Sequence, residues 1–213
     1  MLQSIKVPHC FLLNSDAKIM EIATFCDASA KAFLAVIYVI AVSKDGTCTS
    51  SLAYVRTWVR PLGKKLQKLT SALSICRLEL RACLLGAQAT NYISAAFHQP
   101  LEKKFFSNSQ ITLYRLGSDI GKYKPFVANR LKKIKELTSQ ESWHYIDSKT
   151  NYGARSADLS EFISNKLWWS GPSFLTSETH NYKLMQMENI KISKEQLEYE
   201  KEELKRNDQQ NIW

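Results

Sequence analysis

Three apolar runs, rich in β-branched and aromatic residues, dominate the first part of the chain. They lie at about 18–26, 33–43 and 49–58, and their composition predicts three β-strands. Residues 44–47, with the sequence Lys-Asp-Gly-Thr, stand between the last two runs and predict a hairpin turn. The pattern therefore predicts that a sheet begins with antiparallel strands.

The apolar spacing becomes helical after a basic loop at 59–75. From Arg77 to about Phe97, leucines and alanines form a broad apolar face, and no proline follows until Pro100. Further helices are predicted at 109–117, at 126–137 and near 159–166, and further strands at 104–106 and 143–146. Strands followed by alternating helices and strands predict an α/β domain. Its first strands are expected to be antiparallel, and the later strands, which alternate with helices, parallel.

The same pattern divides the chain into three parts. Residues 1–16 are an irregular lead-in, and residues 17–175 hold all the strongly patterned elements. From 176 to 213 the composition changes to Glu, Lys, Gln and Asn, which predicts a polar linker or tail outside the core. That composition is compatible with a helix at 192–206.

A net charge of +9 and a pI near 9.3 indicate a polyanionic partner. Nucleic acid is favoured over a membrane, because no apolar run approaches the ~20 residues that a membrane span needs. Much of the positive charge lies within residues 101–135, inside the predicted domain. The alternative is that these lysines and arginines are ordinary solvated surface.

The cysteine pattern favours a reducing compartment. The five cysteines form no Cys-x-x-Cys pair, and no histidine stands at zinc-finger spacing. Reduced thiols are typical of cytoplasmic or nuclear proteins. The first residues also lack the pattern of a secretory signal, so we expect an intracellular, non-secreted protein.

Two carboxylates stand where a metal-dependent nuclease would need them. Asp27 lies between two apolar runs, and a buried carboxylate is costly unless it is paired, hydrogen-bonded or bound to a metal. Glu79 falls in the predicted first turn of the long helix. Carboxylates that converge on two Mg²⁺ ions are the basis of two-metal phosphodiester cleavage. The alternatives are a turn-capping role for Asp27 and a helix-dipole role for Glu79.

Four sequence blocks, taken in order, are similar to one known family. They are Phe25-Cys26-Asp27-Ala28-Ser29, Arg77-Leu78-Glu79-Leu80, Lys124-Pro125-Phe126-Val127-Ala128-Asn129-Arg130 and Leu167-Trp168-Trp169-Ser170-Gly171-Pro172. Over about residues 3–175 the chain resembles the RNase H-like region of BEL/Pao retrotransposon polyproteins. The same family is sometimes called the Pao peptidases. No Asp-Ser-Gly or Asp-Thr-Gly signature of aspartic proteases occurs here, so proteolysis is not predicted.

The resemblance implies an α/β fold of the RNase H-like type, a five-stranded mixed sheet flanked by helices. It implies cleavage of RNA in RNA:DNA hybrids with Mg²⁺, or Mn²⁺ as a substitute ion, and four acidic ligands. Asp27 matches the first ligand and Glu79 the second. Asn108 stands where the third carboxylate is expected, so this position is degenerate.

The fourth ligand has two alignments. Asp158 matches it if a few residues are inserted after Asn151, whereas a deletion would remove the ligand and leave Asp158 in the next helix. With two matched carboxylates, we expect only Asp27 and Glu79 to bind metal. We also expect the ancestral cleavage to be weak or absent, because metal positioning carries much of phosphoryl-transfer catalysis.

Two functions follow, one enzymatic and one not. The first is a retrotransposon-derived RNase H-like domain whose catalytic centre lacks some metal ligands and has weak or no activity. The second is a non-catalytic nucleic-acid-binding or structural remnant of a retroelement polyprotein, whose phosphate contacts weaken with salt. The candidate nucleic-acid-binding residues are Lys122, Lys124, Asn129, Arg130, Lys132 and Lys133. The expected neighbours are the reverse transcriptase and integrase regions of a parent polyprotein, of which this chain would be a fragment.

Overall fold

A computed structural model of the 213-residue chain describes residues 17–59, 75–148, 166–177 and 192–205. The strands are β1 (Lys18–Ala28), β2 (Ala32–Val42), β3 (Cys48–Val59), β4 (Glu102–Ser107) and β5 (Trp143–Tyr145). The α-helices are α1 (Ile75–Ser94), α2 (Gln110–Gly117), α3 (Pro125–Leu137), α4 (Lys166–Ser170) and α5 (Lys194–Glu203), with 3₁₀ turns at Ile120–Lys122, Gln140–Ser142 and Ser173–Thr176.

The five strands form one sheet in the order β3-β2-β1-β4-β5. The β1–β2 and β2–β3 pairs are antiparallel, whereas the β1–β4 and β4–β5 pairs are parallel. This arrangement confirms the predicted five-stranded mixed sheet flanked by helices. Among the described helices, none combines the length and apolar character that a membrane crossing requires.

β1 occupies the centre of the sheet, and its sequence reflects that position. Residues 21–27 are all buried, so the strand reads as a continuous apolar run instead of alternating with polar residues. At the predicted turn between β2 and β3, Gly46 adopts a φ of +85°, and the Asp45 carboxylate accepts a hydrogen bond from the Thr47 amide at 3.0 Å. The turn thus forms where glycine and aspartate predict it.

α1 packs against β1 and β2 through its apolar face, and Gly86 sets how closely it approaches. A Cβ atom at Gly86 would lie only 2.3 Å from the Cys26 Sγ, so a larger residue would push the helix away from β1. The helix includes Ile75 and the buried Cys76, two residues earlier than predicted. Glu79 therefore lies beyond the first turn, and the expectation that it stands in that turn is wrong.

Both faces of the sheet are covered. On one face, α1 and α3 enclose a core that includes Leu80, Val127 and Trp143. On the other, residues 166–177 cover β2, where the Tyr38 hydroxyl donates to the Trp168 carbonyl at 2.9 Å and Leu175 is fully buried. Within the described residues, the Trp168 part of the fourth sequence block thus has a packing role.

The C-terminal segment, residues 192–205, packs onto the domain. The sequence predicts a helix inside a polar tail apart from the core, and α5 is present with a Ser193–Gln196 capping box. Glu200 and Leu204 are nevertheless buried to 1% exposure each. A polar segment can pack this way because Glu200 is paired with a buried cation, Arg115, at 2.7 Å. The lead-in at 1–16 and the helix predicted near 159–166 lie outside the described residues.

Candidate active site

Asp27 lies near the C-terminal end of the central strand, where β1 leaves the sheet. Its side chain is 5% exposed, and its Oδ1 accepts a hydrogen bond from the Ala28 amide at 2.7 Å. Burial raises the pKa of Asp27, while the Ala28 amide and the Asn108 side chain lower it. The carboxylate thus sits in an environment that disfavours its charge unless a cation is near.

Glu79 lies on the part of α1 that faces this strand end. The Ser109 hydroxyl donates to its Oε2 at 2.5 Å, and this bond fixes the carboxylate beside the start of α2. Burial raises the pKa of Glu79 to about 7, and the negative charge of Asp27 adds to the rise. Ser109 and the more distant Arg115 oppose it. The two carboxylates therefore repel each other electrostatically.

Asn108 follows β4 directly and completes the group. Because β1 and β4 are neighbouring parallel strands, their C-terminal ends meet at one edge of the sheet. The Asn108 amide nitrogen donates to the Ser148 hydroxyl at 3.1 Å, while its Oδ1 is buried with no hydrogen-bond partner in the described structure. The structure therefore brings together the three candidate residues Asp27, Glu79 and Asn108.

These oxygens suit one hard divalent cation. Carboxylate and amide oxygens are the ligands that Mg²⁺ prefers, and the unpartnered Asn108 Oδ1 leaves an acceptor free for such an ion. Across the described ranges, no group of three or more His, Cys, Asp or Glu residues could hold a metal ion. The donor set fits a single ion better than two, since its formal charge is −2. Asp158 lies outside the described residues.

Ser109 and Arg115 are two further residues that act on Glu79 and that the sequence pattern alone does not assign to the site. Ser109 caps α2, where its hydroxyl oxygen accepts from the Thr112 amide at 3.3 Å. Its second contact, to Glu79, joins positions 30 residues apart, so no local sequence pattern predicts it. Arg115 stands four residues after the buried Ile111, and this helical spacing does place it on the inner face of α2.

The six candidate nucleic-acid-binding residues separate into three environments. Lys122 and Lys124 lie beside the C-terminal segment, and the Lys124 ammonium donates to the Glu202 carbonyl. Asn129, Lys132 and Lys133 are exposed on α3, with Lys133 paired to a neighbouring glutamate at 3.0 Å. Arg130 packs over the Phe126 ring instead, with its guanidinium carbon 3.6 Å from the ring centre.

A cavity of about 480 Å³ lies elsewhere, at the N-terminal end of β4. Its lining includes Lys103, Glu141 and His144 and none of the three converging residues. This cavity is therefore separate from the candidate active site. An enzyme that acts on a polymer does not need to enclose its substrate, so the carboxylates remain the better guide to chemistry.

Comparison with solved structures finds similarity to two RNase H chains. It is similar to the crystal structure of RNase H1 from the halophilic archaeon Halobacterium salinarum NRC-1, with 15% identity over 62% of this chain and 89% of that chain and a TM-score of 0.37. It is also similar to the N-terminal RNase H domain of a Mycobacterium tuberculosis protein fused to maltose binding protein, with 9% identity over 62% and 86% of the two chains and a TM-score of 0.38. None of the curated proteins compared with the chain matches it.

One protein family matches the chain directly. The family described as the Pao retrotransposon-like RNaseH-like domain matches residues 1–109, which include Asp27, Glu79 and Asn108. The match confirms the resemblance drawn from the sequence blocks, while similarity beyond residue 109 stays a prediction. Because the match covers just over half of the 213 residues, the chain belongs to the family of Pao retrotransposon-like RNaseH-like domains.

Proposed function

We propose that this domain binds RNA:DNA hybrids and holds one Mg²⁺ ion through Asp27 and Glu79, with hybrid cleavage weak or absent. Family membership supports the substrate class, since the resemblance to RNase H implies action on such hybrids. One observation carries the rest of the proposal. Two buried, mutually repelling carboxylates meet at the end of β1 beside Asn108, whose Oδ1 has no partner in the described structure.

The chain's own residues explain both the retained binding and the reduced catalysis. A divalent ion held at this edge supplies electrostatic stabilisation to a phosphodiester group. Asp27 offers a carboxylate fixed by the Ala28 amide, and Ser109 orients the carboxylate of Glu79. Asn108 offers a neutral oxygen, so the described donors provide −2 against the +4 of two ions. Occupancy of a second ion should therefore fall sharply.

The decisive experiment is cleavage of a labelled RNA:DNA hybrid in Mg²⁺ and in Mn²⁺. We expect little or no product from the wild-type chain, and restored cleavage in Asn108→Asp if a further carboxylate closes the site. Asp27→Asn is the control, since it removes the first ligand while keeping the side-chain shape. Efficient wild-type cleavage that Asp27→Asn abolishes would contradict the proposed loss of activity and assign a working site.

A non-catalytic role is the second candidate, and Asn108 is the observation that favours it. A domain without cleavage could still bind hybrids through its basic surface, or serve as a structural part of a polyprotein with reverse transcriptase and integrase regions. Such a protein would act in the cytoplasm or nucleus. Hybrid binding that weakens with salt, without cleavage in either metal or in Asn108→Asp, would favour this role.

A further inference from the structure

Three arginines on α1 and α3 lie over two aromatic rings. We call Arg77, Arg81 and Arg130 the arginine cluster. The guanidinium carbons of Arg77 and Arg130 lie 4.7 and 3.6 Å from the centre of the Phe126 ring. Arg81, one helical turn after Arg77, lies over a second ring, that of Phe33, at 5.0 Å. Three cations are therefore fixed side by side by packing on aromatic faces.

The cluster has more positive charge than its described surroundings neutralise. Glu203 of the C-terminal segment pairs with Arg77, with a second hydrogen bond at 3.0 Å. In the described ranges no carboxylate pairs with Arg81 or Arg130, and the Nε of Arg130 is buried without a hydrogen-bond partner. Burial and the charges of Arg81 and Arg77 lower the pKa of Arg130. An anion bound between Arg81 and Arg130 would relieve this repulsion.

The position of the cluster connects it to the candidate active site. Arg81 follows Glu79 by two residues on α1, so their Cα atoms are separated by about 3 Å along the helix axis. The ring beneath Arg81, Phe33, pairs across the strands with Ala28, the residue after Asp27. The arginine cluster and the carboxylates thus lie at the same end of the sheet.

We infer that Arg81 and Arg130 form a subsite for a backbone phosphate of the polynucleotide, next to the Asp27–Glu79 site. A guanidinium presents its donors in a fork that matches phosphate oxygens. Arg77 is held by Glu203 and positions the Phe126 ring, on which Arg130 rests. The inference rests on the proposed function, because the phosphate belongs to the same strand that reaches the carboxylates. It adds Arg81, which the sequence reading did not assign.

The test is hybrid binding at increasing salt in EDTA, which prevents cleavage, using the full chain and fluorescence anisotropy of a short labelled RNA:DNA hybrid. We expect the double variant Arg81→Gln/Arg130→Gln to make about two fewer phosphate contacts, so the slope of log K against log salt becomes shallower by about 2. Between about 50 and 200 mM salt, its affinity should fall about tenfold less than that of the wild type.

Matched variants separate local contact from net charge and from folding. Lys18→Gln removes an exposed charge at the opposite end of β1 from Asp27 and should leave most of the slope unchanged. Arg81→Lys/Arg130→Lys keeps the charge and should keep the slope. If the double glutamine variant does not fold, each single glutamine variant should flatten the slope by about 1.

Three outcomes would overturn the inference. A double glutamine variant that binds the hybrid as Lys18→Gln does would refute the arginine subsite and leave the proposed function standing. A wild-type chain that binds neither the hybrid nor its separate strands would refute both. Tighter, arginine-dependent binding of a poly-glutamate peptide than of the hybrid would show that the cluster serves an acidic protein partner.

Discussion

Replacing Glu79 with glutamine tests the electrostatics of the candidate active site in depth. The pKa of Glu79 in the folded chain is about 7, above the ordinary value of 4.5 that applies to the unfolded chain. A raised pKa in a carboxyl group means that the folded state holds the proton more tightly. The resulting stabilisation is complete below about pH 4.5 and is lost as the pH rises through 7. Glutamine mimics the protonated form and keeps that stabilisation.

The magnitude follows from the displacement of the pKa. A rise from 4.5 to about 7 corresponds to about 3 kcal/mol, and partial exposure of Glu79 reduces this to about 2–3 kcal/mol. We therefore expect Glu79→Gln and wild type to have similar free energies of unfolding at pH 4.5. By pH 8 the variant should be more stable by about 2–3 kcal/mol in metal-free buffer.

Urea unfolding at several pH values between 4.5 and 8 measures this difference, because shared titrating groups cancel between the two proteins. Glu136→Gln, an exposed change on α3, serves as the control and should show only a small difference. Added Mg²⁺ should stabilise the wild type at pH 8 more than Glu79→Gln. A stability difference that does not change with pH, or that favours the wild type at pH 8, would refute the reasoning.

Three further predictions concern stability, each measured by urea unfolding. Burial lowers the pKa of His144 to about 4, so as the pH falls from 6.5 through 4 the wild type should lose about 2–3 kcal/mol of stability relative to His144→Gln; parallel curves would contradict this. Arg115→Met should destabilise the fold by about 3–5 kcal/mol because it leaves Glu200 charged and buried. Adding Glu200→Leu should recover much of that loss, and an unchanged loss in the double variant would show that the pair is not coupled. Gly86→Ala should cost about 1–3 kcal/mol, since the new methyl group meets the Cys26 Sγ, and Cys26→Ala in the same chain should reduce the cost; additive losses would refute the contact.

Local pattern was enough to find the sheet and the long helix. β1 and β2 are buried along most of their length, and their long apolar runs therefore predict strands clearly. The start of α1 was misplaced by two residues, because Ile75 and Cys76 follow a basic loop and carry no capping signal. An error of that size at a helix end is enough to move Glu79 out of the first turn.

Only part of the candidate active site could be predicted from the sequence. Asp27 and Glu79 stand out in the sequence as candidate metal ligands, whereas Asn108 follows only from the family resemblance, and nothing in the spacing of the three positions states that they meet. Ser109 caps α2 through a local bond, whereas its bond to Glu79 depends on how α1 packs against β4. The same reason hid the packing of the C-terminal segment, where Glu200 needs an arginine 85 residues away to be buried.

That separation has a consequence for how the protein is made. Arg115 leaves the ribosome 85 residues before its partner Glu200. At about 5–20 residues per second, roughly 4–17 s pass between the synthesis of the two. During that interval the nascent sheet and helices hold a guanidinium that cannot be buried without its counter-charge. We therefore expect the inner face of α2 to close only when translation reaches α5, which leaves a window in which a chaperone can bind the unfinished domain.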